Sequence, residues 1–345
     1  MSPRFMRAAV FQGSGRPLLV GEVPRPTPGA GDALVKVAAC GFCHTDLHYL
    51  DHAVPTAKSP PLILGHEISG IVEELGPGNL VRSVGDRVLV PSVLPCGSCE
   101  YCRAGRGNIC PQLQMPGNHR DGGFAEYVVI PARDLVPLPS DLDLAHSAVI
   151  ADALTTPYHA VVHRARVRSG DWVVVVGCGG VGINAVQFAA AAGANVIAVD
   201  LRAEKRETAR RLGACDALDP AEHPDLGREV RKRSGGGADV ALEVVGKPET
   251  VGLALSTLRR GGRLCVVGYS DSVASIPLNR LMFFEYEIVG SLGCRPVDYP
   301  RVIEMVRQGK VNLDAVVTAR LPLERIAEAA EDLRHGRGLR TLIVP

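Results

Sequence analysis

Aromatic residues and net charge are both scarce in this sequence. Trp, Tyr and Phe make up 4% of its 345 residues, and the formal net charge is +1. A nucleic-acid-binding module needs a basic patch and aromatic side chains that stack on bases. A balanced charge exerts no long-range attraction on nucleic acid or anionic lipid. We therefore expect no nucleic-acid partner, and these numbers count against a zinc ribbon that binds nucleic acid.

Long apolar runs are also missing. The longest, WVVVVG at 172–177, has the length of a strand and is far shorter than a membrane span. The first residues, MSPRFMRAAVFQGSGR, contain no apolar run of the length found in signal peptides. These absences predict a cytoplasmic protein without a membrane partner.

Cysteine is more informative, because four of the ten cysteines fall within fifteen residues: Cys96, Cys99, Cys102 and Cys110. In a reducing compartment, clustered cysteines bind metal more often than they form disulfides. Four thiolates close a tetrahedron around zinc and leave no position for substrate, so this set predicts a structural zinc site. An iron–sulfur electron-transfer protein remains an alternative, since ferredoxins use C-x2-C-x2-C-x3-C-P where this chain has C-x2-C-x2-C-x7-C-P.

The chain length predicts two domains. Residues 1–153 are rich in Gly and Pro, with short β-type runs such as LVKVAA, ISGIVEEL and FAEYVVI. Residues 154–290 begin with a helical segment, LTTPYHAVVHRA, and then alternate strands with helices from Trp172 onward, which predicts βαβ units and a parallel sheet. Residues 291–345 are too few for a separate core, so we assign them to the first domain.

A glycine-rich turn in the second domain predicts a dinucleotide site. Gly177, Gly179 and Gly182 form a G-x-G-x-x-G pattern between a buried-type strand and an Ala-rich helix, and Gly180 and Val181 lie within it. Such glycines allow a tight turn, close approach of the pyrophosphate, and close packing of helix on strand. Asp200 ends the next strand, where a carboxylate binds the ribose hydroxyls and repels a 2′-phosphate. NAD is therefore predicted over NADP, although the neighbouring Arg202 weakens that preference.

Further motifs extend the pattern along the whole chain. They are Gly41-Phe-Cys43-His44-Thr45-Asp46-Leu-His48, then Gly65-His66-Glu67 followed by GIVEELG, the four-cysteine segment, the glycine-rich turn with Asp200, and the closing Leu339-Arg340-Thr341. In this order and spacing the sequence resembles the zinc-dependent alcohol dehydrogenases of the medium-chain dehydrogenase/reductase superfamily. The resemblance implies an α/β fold: a Rossmann doubly wound parallel sheet domain plus a β-rich, GroES-like catalytic domain that carries a structural zinc lobe at about 93–112.

The resemblance also implies an open, catalytic zinc site. Cys43 and His66 match two ligands, and Asp152 stands where the family often has a cysteine. A carboxylate carries the same single charge as a thiolate and also binds zinc, so Asp152 is the candidate third ligand. Two zinc ions per subunit are thus expected, with hydride transferred from an alcohol to NAD.

Supporting roles follow from the same resemblance. Glu67 resembles a glutamate that coordinates transiently, Asp46 would orient a ligating histidine, Thr45 would contact the substrate oxygen and His48 would relay its proton. The predicted cofactor contacts are His44 at the pyrophosphate, Thr156 near the nicotinamide, Lys205 near the adenine ribose, Arg340 at the phosphates, and Val245 and Gly268.

The substrate is less well specified. Met115-Pro-Gly-Asn118, Gly122-Gly-Phe-Ala and Ala-Asp152-Ala-Leu-Thr-Thr-Pro-Tyr158 resemble the 6-hydroxycyclohex-1-ene-1-carbonyl-CoA dehydrogenases, which implies a cyclic acyl-CoA alcohol, and the small Ser92 and Val93 would leave room for it. A general primary or secondary alcohol or polyol dehydrogenase is the alternative. The shorter bacterial type that the chain resembles is commonly a homotetramer, with a homodimer as the other expectation.

Overall fold

The computed structural model describes residues 4–345. Its strands are β1 Phe5–Phe11, β2 Leu19–Pro24, β3 Asp32–Phe42, β4 Leu62–Ile63, β5 Glu67–Leu75, β6 Arg87–Val90, β7 Tyr127–Pro131, β8 Val136–Pro137, β9 Trp172–Val176, β10 Asn195–Val199, β11 Asp216–Leu218, β12 Ala238–Glu243, β13 Leu258–Val266, β14 Glu287–Gly290, β15 Val317–Pro322 and β16 Arg340–Val344. Its α-helices are α1 His44–Asp51, α2 Glu100–Arg103, α3 Thr155–Tyr158, α4 Gly182–Ala191, α5 Ala203–Arg211, α6 Leu226–Ser234, α7 Pro248–Ser256, α8 Leu278–Phe283, α9 Tyr299–Arg307 and α10 Ile326–Arg334.

The chain folds into two compact units. The first comprises the described residues up to Thr155 together with Cys294–Arg307 and Leu313–Pro345, and the second comprises Thr156–Gly293 and Gln308–Asn312. Within the part of the chain that is described, no helix is both long and apolar enough to span a bilayer.

The first unit is built on β-sheet. A seven-stranded sheet has the order β15-β16-β3-β5-β6-β8, with β7 also paired to β3, and a three-stranded sheet has the order β2-β1-β4. The long strand β3 lies near the middle of the seven-stranded sheet, and most of its side chains are buried, as expected of a central strand. The C-terminal strand β16 joins this sheet by antiparallel pairing with β3, in which Thr341 lies opposite Phe42.

The second unit confirms the predicted Rossmann fold. Its six strands have the order β11-β10-β9-β12-β13-β14, and every neighbouring pair is parallel. Counted from β9, this is the order 3-2-1-4-5-6 of dinucleotide-binding sheets. Strand β9 is central and its valines are almost completely buried, which explains its uninterrupted apolar sequence. The strand order reverses between β9 and β12, where ligands bind in such sheets.

Several elements differ from the sequence predictions. The predicted helical segment 154–165 is helical from Thr155 to Arg164, but only the first turn, α3, is α-helix and His159–Arg164 is π-helix. Strand β13 begins at Leu258, five residues before the predicted RLCVVG. The helix α1, which carries predicted site residues, was not predicted at all. Its sequence, HTDLHYLD, is mostly polar and lacks a wide apolar face, but Asp46 caps its start by accepting a hydrogen bond from the Cys43 amide.

The glycine-rich turn yields a stability prediction. A Cβ at Gly182 would lie 1.8 Å from the carbonyl oxygen of Gly177, whereas a Cβ at Gly179 would meet nothing within 4 Å. Gly182→Ala should therefore destabilise the protein by about 1–3 kcal/mol, the usual range for overpacking, and Gly179→Ala should leave its stability close to that of wild type. Thermal unfolding of both variants without ligand checks this, and equal melting temperatures would contradict it.

Candidate active site

The first unit brings together three of the predicted metal ligands. Cys43 follows β3, and His66 immediately precedes β5. These strands pair antiparallel with Gly41 opposite Glu67, so this register places the residues just beyond each strand end side by side. Asp152 follows the 3-10 helix His146–Ala151.

The three ligand atoms converge at distances that suit a metal ion. Oδ2 of Asp152 lies 3.9 Å from Sγ of Cys43 and 3.7 Å from Nε2 of His66. Together with Glu67, these residues offer ligand atoms that all lie within 4.8 Å of one another. Ligand bonds of about 2.0–2.3 Å in a tetrahedron separate the ligand atoms by about 3.3–3.8 Å, so the arrangement fits zinc.

Asp46 lies on the other side of the histidine ring. Its Oδ1 is 3.8 Å from Nδ1 of His66, while its Oδ2 accepts a 2.9 Å hydrogen bond from the Cys43 amide. A ligating histidine usually directs its second nitrogen towards a carboxylate in this way. The Asp46 carboxyl is completely buried, holds the cysteine backbone by this hydrogen bond and places its other oxygen on the side of the ring that faces away from Asp152.

Glu67 is completely buried behind the cluster. Its Oε1 accepts a 3.0 Å hydrogen bond from the Ala153 amide and lies 3.2 Å from Nη2 of Arg340. A Cβ at Gly41 would lie 2.0 Å from its Oε2, so the strand must have glycine there. Burial raises the pKa of Glu67 to about 7, although the positive charge of Arg340 opposes this shift.

Arg340 has a different environment from the predicted one. Its side chain is 2% exposed, and Nη1 donates a 3.1 Å hydrogen bond to the Phe42 carbonyl while the guanidinium pairs with Glu67. Such a buried guanidinium supports the metal cluster from within the first unit. These contacts give no support to the predicted contact of Arg340 with the cofactor phosphates, which remains a prediction only.

Acidic groups dominate the cluster. Burial raises the pKa of Asp46 above its ordinary value, although His66 opposes the shift. Burial by itself would lower the His66 pKa, but Asp152 and Asp46 outweigh it and raise that pKa well above the usual range. The His66 shift shows that the acidic neighbours favour a positive charge in the cluster, as expected of residues arranged around a cation.

The helix α1 carries the other predicted catalytic residues. Thr45 Oγ1 lies 3.8 Å from Sγ of Cys43, and His44 is exposed at the start of the helix. His48 is half-buried, with its ring 5.5 Å from that of His52. Burial, with a smaller contribution from His52, lowers the His48 pKa, which favours the neutral ring that accepts a proton.

The four clustered cysteines form a separate site. Their sulfur atoms all lie within 4.8 Å of one another, with Cys96 3.8 Å from Cys102, and Cys99 3.4 Å from Cys102 and 3.8 Å from Cys110. A tetrahedral zinc with four sulfurs at about 2.3 Å requires separations of about 3.8 Å. Amide groups of Ser98 and Cys99 point at Cys96 Sγ and lower its pKa to about 6, which favours the thiolate that a metal binds. The segment therefore fits a closed structural metal site.

The predicted dinucleotide residues surround the carboxyl ends of β9, β10 and β12 in the second unit. Gly177 has φ +94°, and its Cβ position faces Val245 at 2.5 Å, so the turn requires glycine. Gly180 and Val181 lead into α4, and Gly182 begins it. A Cβ at Gly268 would lie 2.1 Å from the Gly246 amide nitrogen, which shows how closely the neighbouring loops pack.

Asp200 is held firmly at the end of β10. Its carboxylate accepts hydrogen bonds from the amides of Cys178 at 2.8 Å and Arg202 at 2.9 Å. Arg202 is the basic residue that weakens the predicted preference for NAD. Its guanidinium pairs with the Glu204 carboxylate at 3.5 Å. Lys205 lies in the first turn of α5, and Thr156 is 8% exposed in α3.

Glu243 is a buried residue that the sequence argument missed. It ends β12, and its Oε1 accepts hydrogen bonds from the Val245 and Gly246 amides and the Thr250 hydroxyl. It therefore shapes the loop that packs against Gly177. A carboxylate at the end of an otherwise apolar strand, in ADVALE, was the signal that could have found it.

Comparison with known proteins agrees with this arrangement. Residues 29–140 match the model of the alcohol dehydrogenase GroES-like domain, and residues 180–308 match the zinc-binding dehydrogenase model. An alcohol dehydrogenase of Geobacillus stearothermophilus is 36% identical over 333 residues, which cover 96% of this chain and 97% of that protein.

Solved structures show the same similarity over almost the whole chain. A structure described as an NAD-dependent alcohol dehydrogenase superposes with a TM-score of 0.92 at 32% identity, covering 99% of this chain and 100% of that one. A Sinorhizobium meliloti 1021 protein described as a zinc-binding dehydrogenase, bound to NADP, gives 0.91 at 32% identity with the same coverage. The GroES-like domain model, at residues 29–140, spans the four cysteines.

Proposed function

Because the chain belongs to the zinc-dependent alcohol dehydrogenases of the medium-chain dehydrogenase/reductase superfamily, we propose that it oxidises an alcohol at Cys43, His66 and Asp152 with NAD as hydride acceptor. The observation that carries the proposal is the convergence of these three side chains, with Oδ2 of Asp152 3.9 Å from Sγ of Cys43 and 3.7 Å from Nε2 of His66. A zinc ion bound there supplies a Lewis acid that makes a coordinated hydroxyl more acidic.

The residues in and around the cluster have separate roles in charge balance, substrate orientation and proton transfer. Cys43 and Asp152 carry two negative charges that balance a divalent cation, and neutral His66 completes the set. Thr45 orients the hydroxyl of the substrate, and His48 accepts the proton and passes it to solvent. The Glu67 carboxylate lies behind the ligands, where it is paired with Arg340.

A second zinc ion occupies the four-cysteine lobe in this proposal. Closed four-sulfur sites have no open position, so the lobe has a structural and not a chemical role. The short sulfur–sulfur distances and the amides directed at the sulfurs support it. The zinc fixes a polar, glycine-rich segment with little apolar surface of its own.

The cofactor preference rests on Asp200. The two amides that hold its carboxylate keep a negative charge at the end of β10, where it binds a ribose diol and repels a 2′-phosphate. This arrangement supports NAD as the preferred cofactor.

The packing around His66 offers an explanation for the segments that resemble the acyl-CoA branch. A Cβ at Gly117 would lie 2.7 Å from the amide nitrogen of Gly65, and a Cβ at Gly122 would lie 2.1 Å from the carbonyl oxygen of Gly65. The Ser92 hydroxyl is likewise engaged, since it donates to the Ala151 carbonyl at 2.9 Å. Packing on Gly65 and on the Ala151 carbonyl accounts for these residues without a cyclic acyl-CoA substrate, so we take a general primary or secondary alcohol as the proposed substrate. A homotetramer stays a prediction.

Asp152→Ala tests the catalytic metal site. We expect the variant to retain one zinc per subunit where the wild type has two, to lose alcohol oxidation by at least about 10²-fold, and to bind NADH as tightly as wild type. Elemental analysis, NADH formation and NADH fluorescence titration measure these quantities. Asp134→Ala removes a partly buried aspartate of the same unit outside the cluster and is the matched control. Wild-type activity with two zinc ions in Asp152→Ala would refute the proposal.

Asp200→Gly tests the choice of cofactor. Removing the carboxylate should decrease the ratio of kcat/KM for NAD to that for NADP by about tenfold or more, since it deletes both the ribose contact and the repulsion of the 2′-phosphate. Glu207→Ala removes an exposed carboxylate of the nearby helix α5 that pairs with Arg210 and not with Arg202, and it serves as control. An unchanged ratio would assign cofactor selection to another residue.

A substrate panel tests the alcohol class. Primary and secondary alcohols, cyclic alcohols, polyols and a cyclic hydroxyacyl-CoA thioester should be compared by kcat/KM at saturating NAD. We expect simple alcohols to exceed the thioester, because the branch-like segments have a packing role. A thioester with the highest kcat/KM would instead support the acyl-CoA branch.

A further inference from the structure

The peptide groups on both sides of Asp152 are held by side chains of the first unit, of which all but Thr155 are distant in sequence. On the C-terminal side, Glu67 accepts a hydrogen bond from the Ala153 amide. On the N-terminal side, the Ala151 carbonyl accepts three hydroxyl hydrogen bonds, from Tyr299 at 2.8 Å, Ser92 at 2.9 Å and Thr155 at 3.0 Å. A carbonyl oxygen has two lone pairs, so three donors exceed its ordinary complement.

Tyr299 is the best-engaged of the three hydroxyl residues. Its side chain is completely buried, and the hydroxyl donates to Ala151 while accepting from the Ser92 amide at 3.2 Å and the Cys294 thiol at 3.0 Å. A phenol has one proton and two acceptor positions, so its whole hydrogen-bonding capacity is used. Burial raises the Cys294 pKa to about 12, which keeps the thiol protonated as a donor.

Asp152 needs support of this kind because its own backbone is irregular. It follows the last residue of the 3-10 helix with φ −139° and ψ −55°, which fits neither helix nor strand. Without external hydrogen bonds, the peptide between Ala151 and Asp152 could rotate, and its rotation would swing the carboxylate away from Cys43 and His66.

We propose that Tyr299, Ser92 and Thr155 form a hydroxyl clamp on the Ala151 carbonyl that positions the Asp152 carboxylate for metal binding. This inference rests on the proposed role of Asp152 as a ligand. Tyr299 is a positioning residue in this scheme, since it acts through the Ala151 carbonyl.

A simpler role for the hydroxyls would be to cap the end of the helix, whose last carbonyl groups lack internal partners. The two roles differ in their consequences. A cap contributes to the stability of the whole protein whether or not metal is bound. A positioning clamp controls the affinity and geometry of one metal site and leaves the four-cysteine site unchanged.

Tyr299→Phe in the full-length chain separates the two roles, because it removes the hydroxyl and retains the ring. Tyr286→Phe is the matched control: Tyr286 is also buried, and its hydroxyl donates to the Leu258 carbonyl at 3.2 Å in the second unit. Zinc is first removed from the catalytic cluster with a chelator, and retention of the lobe zinc is checked by elemental analysis. Co²⁺ is then titrated while its d–d absorption is recorded, and thermal unfolding is measured before metal addition.

We expect Tyr299→Phe to bind Co²⁺ about 10–100-fold more weakly, the range for lost partners of metal ligands, and to shift the d–d bands. Tyr286→Phe should resemble wild type in both readouts. Ser92→Ala, which removes a single donor, should give a smaller change in the same direction. Wild-type Co²⁺ affinity and spectrum in Tyr299→Phe would overturn the clamp. The clamp would also be overturned if Tyr286→Phe showed the same loss of Co²⁺ affinity and the same reduced melting temperature as Tyr299→Phe.

An Asp152→Ala arm distinguishes the two proposals. If Asp152→Ala binds Co²⁺ as wild type does, Asp152 is not a ligand and the proposed function fails together with the clamp. If Asp152→Ala loses the site and Tyr299→Phe keeps it, only the clamp is overturned.

Discussion

The mutual repulsion of buried acidic groups is the constraint on which the first unit depends. Asp46, Glu67 and Asp152 lie close to Cys43 around a single histidine, and Asp46 and Glu67 are completely removed from water. Burial of charge is costly unless an opposite charge is present. Arg340 provides one such charge behind Glu67, and a divalent cation in front of it would provide the remainder. The rest of the unit holds these groups together in spite of their repulsion.

Backbone geometry supplies that holding force. The β3–β5 register places Cys43 beside His66, each just beyond the end of a paired strand, and Asp46 holds the Cys43 amide while its other oxygen faces the histidine ring. Asp152 has no strand to hold it, which is why side-chain hydrogen bonds on both of its peptide groups matter. A cation site built in this way is set before the metal arrives, and ligand affinity gains from such preorganisation.

The two candidate metal sites illustrate opposite solutions. The four cysteines are neighbours in sequence, and local amides are directed at their sulfurs, so the segment from Cys96 to Cys110 nearly defines its own site. The cluster at Cys43, His66 and Asp152 spans more than a hundred positions and depends on two strands and a 3-10 helix. In the second unit, the glycine-rich turn resembles the four-cysteine segment in being local. The pattern that contains Gly177 and Gly182 and the close packing that requires these glycines lie in a single turn.

Local patterns determined the parallel sheet, the glycine-rich turn, Asp200 and the four-cysteine lobe, since each depends on residues that are close in sequence. Resemblance to a family added Cys43, His66 and Asp152 as a set. The tertiary structure alone decided the π-helix after Tyr158, the engagement of Arg340 with Glu67 and the hydroxyls that converge on Ala151. The physical reason is that a hydrogen bond between Tyr299 and Ala151 leaves no trace in either segment's periodicity. Only the folded chain brings such partners within 3 Å.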